Sequence, residues 1–297
     1  MNVLVTGASG LVGRRVVARL LDAGRGITVF VRTVGRLGDL AGERLTVVTG
    51  TVSDRAALAR AAAGCDAVVH LANASGVVDE TEVHAVNVAG TENVLAAARA
   101  AGVRRFVFTS TVSATRVRLG PYGGSKRLAE ERVRSAGIPF VILRPSLVYG
   151  DGDRGLVAAL ARRLKSLPIM PVIGDGRIAI DPVHLDDLCA VIEACLVRDD
   201  VVGRTYDVLG PERVTLDEFL RRLGGVLGLR RPLVHLPAGP SLVLARLLGA
   251  LMAHPPLTVD NVLGLTSPAS VDPEATMRDF PIAWTPLDAG LRTLRVR

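Results

Sequence analysis

An α/β fold, a doubly wound parallel sheet with helices on both faces, is what this 297-residue sequence predicts, and three observations predict it. Residues 2–13 run from an apolar stretch into Gly7, Gly10 and Gly13 and then into an apolar-periodic segment reaching Leu21, which reads as strand, glycine turn and helix. Strand-like and helix-like stretches alternate through the first half. After Pro145 the pattern loosens into Gly-, Pro- and Asp-rich segments between helices.

The elements follow in order. Apolar runs at 2–6, 27–32, 45–49, 66–71, 104–109 and 140–144 read as strands, and the Ala-, Leu- and Arg-rich stretches at 11–23, 55–63, 81–101 and 125–136 read as helices. Beyond them, helices are expected at 154–166, 184–197, 215–228, 240–253 and 257–265, divided by prolines. Residues 1–150 thus form the sheet domain, the chain returns to it at about 178–208, and residues 151–177 with 209–297 make a smaller, mainly helical lobe.

Composition narrows the function. Nearly half the residues are apolar, and there is no low-complexity linker, so the chain is an ordered globular protein. No stretch has the roughly eighteen uninterrupted apolar residues of a membrane span, and Leu242–Ala253 is short and carries Arg246. The first strand begins at once, leaving no room for a signal peptide, so a cytoplasmic address and no membrane partner are expected. Three cysteines at unrelated spacings and scattered histidines fit neither a disulfide framework nor a metal site. The net charge of +7 is spread along the chain, and with 3% aromatics there is no stacking platform for nucleic acid.

The glycine turn has a specific chemistry. Gly7 permits a tight turn, Gly10 has no Cβ to block a pyrophosphate, and Gly13 lets the helix pack closely. The helix then aims its free N–H groups at an anion, so Gly7, Ser9, Gly10, Leu11, Val12 and Gly13 form a candidate dinucleotide site. At the end of the second strand stand Val31, Arg32 and Thr33, with no acid before Asp39. An NAD site usually places a carboxylate there for the ribose 2′-OH, so NADP is favoured over NAD, with Arg32 and Arg36 as partners for a 2′-phosphate.

Of three tyrosines and two lysines in the chain, Tyr122 and Lys126 stand one helical turn apart. A nearby ammonium favours the phenolate and draws a tyrosine toward a working acid/base pKa. The strand at 105–111 ends in Thr109, Ser110 and Thr111, one of which can hold a substrate oxygen against that phenol.

Together these segments resemble the short-chain dehydrogenase/reductase superfamily, in its extended or atypical epimerase-like branch. The motifs are Thr6-Gly-x-x-Gly-x-x-Gly13, His70-Leu-Ala72, Asn87-Val-x-Gly-Thr-x-Asn-Val94, Tyr122-x-x-x-Lys126, Leu143-Arg-Pro145 with Val148-Tyr-Gly150, and Val183-His-x-Asp-Asp187. The resemblance implies a Rossmann-type sheet with a substrate lobe. It makes Tyr122 the general acid/base, and Lys126 the residue that holds the nicotinamide ribose and lowers the tyrosine pKa. Thr111 would orient the substrate carbonyl, with Ser110 as the alternative. Leu71 and Ala72 would pass the cofactor with their backbone, Pro145 and Val148 would border the nicotinamide, and Asn87 would tie helix to strand.

Three departures bear on it. Gly50-Thr51 replaces a common Gly-Asp, leaving adenine to Asp54 or to backbone; Gly123 and Gly124 interrupt the Tyr/Lys turn; and only ten residues separate Thr111 from Tyr122. The last favours reductases and atypical members similar to complex I subunits over sugar-nucleotide epimerases. The leading expectation is an NAD(P)(H)-dependent oxidoreductase acting on a small, largely apolar carbonyl or alcohol, as a monomer or homodimer. The alternatives are an epimerase or dehydratase with tightly held cofactor and a non-catalytic dinucleotide-binding sensor or assembly subunit.

Overall fold

The computed structural model describes residues 1–37, 40, 45–76, 79–150, 155–252 and 255–294, apart from the side chain of Arg36. The strands are β1 (Asn2–Thr6), β2 (Gly26–Val31), β3 (Leu45–Thr49), β4 (Ala67–His70), β5 (Arg105–Thr109), β6 (Phe140–Pro145), β7 (Val148–Tyr149), β8 (Met170–Ile173), β9 (Ala179–Ile180), β10 (Val183–His184), β11 (Thr205–Val208), β12 (Val214–Thr215) and β13 (Leu233–Leu236). The helices are α1 (Leu11–Asp22), α2 (Arg55–Ala62), α3 (Glu80–His84), α4 (Gly90–Ala100), α5 (Pro121–Arg134), α6 (Leu156–Ser166), α7 (Leu185–Val197), α8 (Leu216–Val226), α9 (Ala238–Leu251), α10 (Val259–Thr266), α11 (Ala275–Asp279) and α12 (Leu287–Leu291).

Seven strands pair in parallel in the order β11-β6-β5-β4-β1-β2-β3, the crossover pattern of a doubly wound sheet. Alternation within each strand divides the core between the two faces. Val3, Val5, Val69, Val107, Val141 and Leu143 face α1 and α7, whereas Leu4, Val68, Phe106, Phe108 and Ile142 face α2, α4 and α5. The three cysteines are free and buried, and burial pushes the Cys189 and Cys195 thiols up to about 12.

A third cluster, around Val157, Leu164, Met170, Phe219 and Leu223, is the core of the C-terminal part. It is framed by short two-stranded sheets, β8 with β13 and β9 with β12. The division expected from sequence is more interleaved here. The chain rejoins the main sheet at β11, and the segment after residue 272 also returns to it, because Phe280 packs edge-on against Tyr206 within the first core.

Two helices differ from expectation. The stretch at 81–101 is divided: α3 and α4 flank a π-helical turn at Ala85–Ala89 that carries Asn87. The helix expected from residue 125 starts at Pro121, a residue suited to the first helical position. Gly123 is buried there because a Cβ would come within 2.7 Å of the Ser113 carbonyl oxygen. The glycine is the condition for close packing and not an interruption.

Candidate active site

A cleft of about 1060 Å³ opens at the carboxyl ends of the central strands. One wall is the turn between β1 and α1, with Gly7, Ser9, Gly10, Leu11, Val12 and Gly13 all lining the cleft. Gly7 has φ +73°, and a Cβ on it would lie 2.6 Å from the Ala72 nitrogen. A Cβ on Gly13 would collide with the Gly7 carbonyl and lie 2.7 Å from the Ala8 Cα, so this glycine packs the helix onto the turn itself. The N-cap residue of α1, Gly10, has no side chain with which to cap it, and the N-terminus of the helix faces the cleft at Gly10–Gly13, where an anion can meet its N–H groups.

Leu71 and Ala72 also line the cleft. Their backbone is tied to β1: Leu71 N–H donates to the Thr6 carbonyl at 3.2 Å and Ala72 N–H to the Thr6 hydroxyl at 3.3 Å. Behind them runs a buried polar chain. The Thr91 hydroxyl donates to the Asn87 carbonyl at 2.7 Å, so it accepts from His70 Nε2–H at 3.0 Å, and His70 Nδ1 accepts from the Thr6 hydroxyl at 2.6 Å. Burial, with the Lys126 charge, holds the His70 pKa down to about 3, so the ring is neutral.

At the far end, Arg32 is exposed on the rim beside Phe30 and Gly50–Ser53. The side chain of Arg36, also expected to meet a 2′-phosphate, lies outside the described residues. Asp54 is not in the lining: its carboxylate caps α2 by accepting the Ala57 N–H at 2.9 Å. Of the two sources expected for adenine contacts, Asp54 is turned to its helix, and Gly50–Ser53 line the cleft.

The residues expected to do chemistry gather around the end of β5. Thr109 lines the cleft, and its carbonyl accepts from the Lys126 ammonium at 2.6 Å. Lys126 is 1% exposed and lies 4.2 Å over the Phe108 ring. Burial lowers its pKa to about 7, against an opposing pull from Glu130. Tyr122 is in the first turn of α5 and accepts a hydrogen bond from Thr111, which favours its phenolate. Burial and the Asp260 carboxylate outweigh that bond and push the phenol up to about 12. This corrects the expectation that Lys126 draws the tyrosine pKa down, since the ammonium is directed to the Thr109 carbonyl.

Thr111 also accepts the Ser113 N–H at 3.2 Å, so it caps the following turn while touching Tyr122. Ser110 is excluded as its alternative: it is buried, and its hydroxyl donates to Glu130 at 2.6 Å. Pro145 and Val148 do not line the cleft; Val148 packs with Leu11 and Val12 against the first core. Asn87, expected to tie helix to strand, instead ties its turn to the loop after β4 and to α5, accepting from the Ala74 N–H at 2.7 Å and donating to the Ala74 carbonyl and to Ser125, both at 3.0 Å.

The sequence reading missed Asn73, Ala74, Ser75, Glu82, Ala85 and Val86 of the lining, although the Asn87 motif beside them was a signal for that wall. The last motif, at 183–187, is structural. His184 caps α7 by accepting the Asp186 N–H at 3.3 Å, Asp186 pairs with Arg15, and Asp187 accepts from the Thr285 N–H and hydroxyl at 2.8 and 2.9 Å.

The model of the NAD dependent epimerase/dehydratase family matches residues 3–208, from the first strand of the sheet to its last. The chain belongs to this family. A nicotinamide dinucleotide fits the residues present: among the described residues a Cβ on Gly10 would meet only the Gly7 carbonyl oxygen, at 3.3 Å, and Gly10 lines the cleft at the N-terminus of α1.

Among curated relatives, the chain is 30% identical to a 2-alkyl-3-oxoalkanoate reductase of Stenotrophomonas maltophilia, over 99% of this chain and 98% of the relative. It is 31% identical to a ceramide reductase of Caulobacter vibrioides, over 97% and 87%. It is 37% identical to a (4-alkanoyl-5-oxo-2,5-dihydrofuran-3-yl)methyl phosphate reductase of Streptomyces griseus, over 78% and 75%. Among solved structures, a UDP-glucuronic acid 4-epimerase from Bacillus cereus shares the fold at TM-score 0.78 and 20% identity, over 99% of this chain and 97% of that one. A dTDP-glucose 4,6-dehydratase from Streptomyces venezuelae does so at TM-score 0.78 and 24% identity, over 98% and 96%. Among the described residues no helix is long and apolar enough to cross a membrane, and no group of three or more His, Cys, Asp or Glu is placed to hold a metal ion.

Proposed function

We propose that this family member is an NADP(H)-dependent reductase that delivers a proton from Tyr122 to the oxygen of a substrate carbonyl. The observation that carries the reading is the placement of Tyr122 against Thr111, with buried Lys126 bonded to the carbonyl of Thr109, the residue of this group that lines the glycine-turn cleft. A bound nicotinamide dinucleotide supplies the hydride that the carbonyl carbon accepts.

The chain's own residues do the rest. The N-terminus of α1 and the Gly7–Gly13 turn hold the anionic bridge, the backbone of Leu71 and Ala72 forms the opposite wall, and Arg32 pairs with a 2′-phosphate. Lys126 binds ribose hydroxyls. Thr111 orients the substrate oxygen so that it meets the phenol. A phenol whose pKa is held near 12 keeps its proton at neutral pH, and this supports donation to a carbonyl, the reductive direction. The names of relatives that reduce 3-oxoalkanoates and ceramide support a largely apolar substrate.

Turnover of NADPH with a panel of 3-oxoacyl esters tests the proposal. Tyr122→Phe is expected to lower kcat by about 10²- to 10⁴-fold with NADPH affinity retained. Arg32→Ala is expected to weaken NADPH binding by about tenfold and leave NADH binding unchanged, read from reduced-nicotinamide fluorescence. Full turnover in the Tyr122→Phe protein would refute the assignment.

A further inference from the structure

Helix α5 begins without a cap of its own. Its N-cap residue is Gly120, which has no side chain, and Pro121 follows. The acceptor comes from the other end of the chain: the carboxylate of Asp260, in the first turn of α10, accepts the Tyr122 N–H at 3.1 and 3.3 Å and the Gly123 N–H as well. Asp260 is available because α10 closes its own N-terminus, with Thr258 and Asn261 bonded reciprocally at 3.1 and 3.2 Å. The approach also explains Gly120. A Cβ at that position would overlap the Asp260 carboxylate.

We propose that Asp260 is a positioning residue for Tyr122: the C-terminal part supplies the charge that locks the first turn of the catalytic helix and sets the proton affinity of its phenol. This rests on the acid/base reading of Tyr122 given above. The physical argument is one of sign. A free helix N-terminus is positive and would favour the phenolate, whereas an anion seated on it replaces that field with a negative one.

The other charged groups at this end do not take over the role. Burial raises the pKa of the Asp260 carboxyl, the Tyr122 and Gly123 N–H groups oppose that rise, and negative Glu80 from α3 adds a smaller upward push, so Glu80 acts on Asp260 itself. Lys126 donates to the Thr109 carbonyl, and Glu130 acts on Lys126. In the segment packed beside α5, Arg116 donates to the Ser267 carbonyl, and Arg127 of α5 itself donates to the Ala114 and Arg116 carbonyls. Asp260 is half-buried, which strengthens its field on the phenol.

Asp260→Asn separates charge from capping, because its amide oxygen still accepts the N–H groups. The readout is tyrosinate absorbance after a stopped-flow pH jump, taken as the difference from the same protein carrying Tyr122→Phe, with NADPH affinity and Tm as checks on folding. Ionisation of Tyr122 is expected to move down by about one pH unit while NADPH affinity is unchanged. Gly120→Ala, which displaces the carboxylate without removing it, is expected to move ionisation the same way by less, and it serves as the test if Asp260→Asn does not fold.

Ionisation that stays at the parent value in a folded Asp260→Asn protein would overturn the proposal. Failure of the underlying reading looks different, because it appears as turnover retained in Tyr122→Phe and leaves the ionisation difference unaffected.

Discussion

Along β1, β4, β5 and β6 nearly every apolar side chain is covered by a helix on one face or the other, whereas α9 leaves Val243, Leu244, Leu247 and Leu251 between 49% and 82% exposed. The two regions solve different problems. A parallel sheet has two apolar faces and must cover both, so each of its residues is constrained by a strand neighbour and a helix. The C-terminal part is built from helices and two-stranded ribbons around a smaller core and leaves apolar surface uncovered. The contrast teaches that constraint is spread over both faces of the sheet where the dinucleotide fits, whereas in the C-terminal part it is confined to the inner core and to contacts such as Asp260, and the outer face of α9 is the tolerant surface.

The largest expected effect is at the back of α5. Glu130 is 1% exposed and accepts from Ser110, Arg144 and Arg134 at 2.6–2.8 Å. Glu130→Gln removes the charge that pairs Arg144 and is expected to cost about 3 kcal/mol, read as a fall in the denaturant midpoint. Arg134 adds little, since it is 40% exposed and screened. Gly13→Ala comes next, at about 1–3 kcal/mol, because its methyl must displace the backbone of the glycine turn. NADPH affinity should fall with it, measured by fluorescence titration. The smallest effect is on the other side of the comparison: Leu247→Gln, at a position 58% exposed, should change stability by no more than about 0.5 kcal/mol. A large loss from that substitution in thermal unfolding would erase the distinction between the regions.

The same contrast governs what was legible in the sequence. Apolar runs and the glycine turn located β1 to β6 to within a residue, because local pattern and tertiary burial agree there, whereas β11 was expected only as a return of the chain to the sheet at about 178–208. The nearness of Tyr122 to Thr111 and of Lys126 to the end of β5 was legible, since one helical turn and one strand end set it, whereas the bond of Lys126 to the Thr109 carbonyl was not. What escaped was set by packing at long range. The π turn around Asn87 has no periodicity of its own. Thr111 was preferred with Ser110 as the alternative, and it is long-range packing that turns Ser110 toward Glu130. Asp260 bonds to a helix 138 residues earlier, and no spacing rule connects the two.

The buried chain from Thr6 through His70 to Thr91 has a practical consequence. Its donors run in one direction, so the two ring nitrogens of His70 are chemically unlike and fixed, one bearing hydrogen and the other a lone pair. The imidazole has a pKa of about 3 and takes up no proton across the physiological range. Nitrogen-15 labelling of that ring therefore yields a pH-silent NMR reporter directly behind the Leu71–Ala72 wall. A change in its signals on adding a dinucleotide reads displacement of that wall and not protonation.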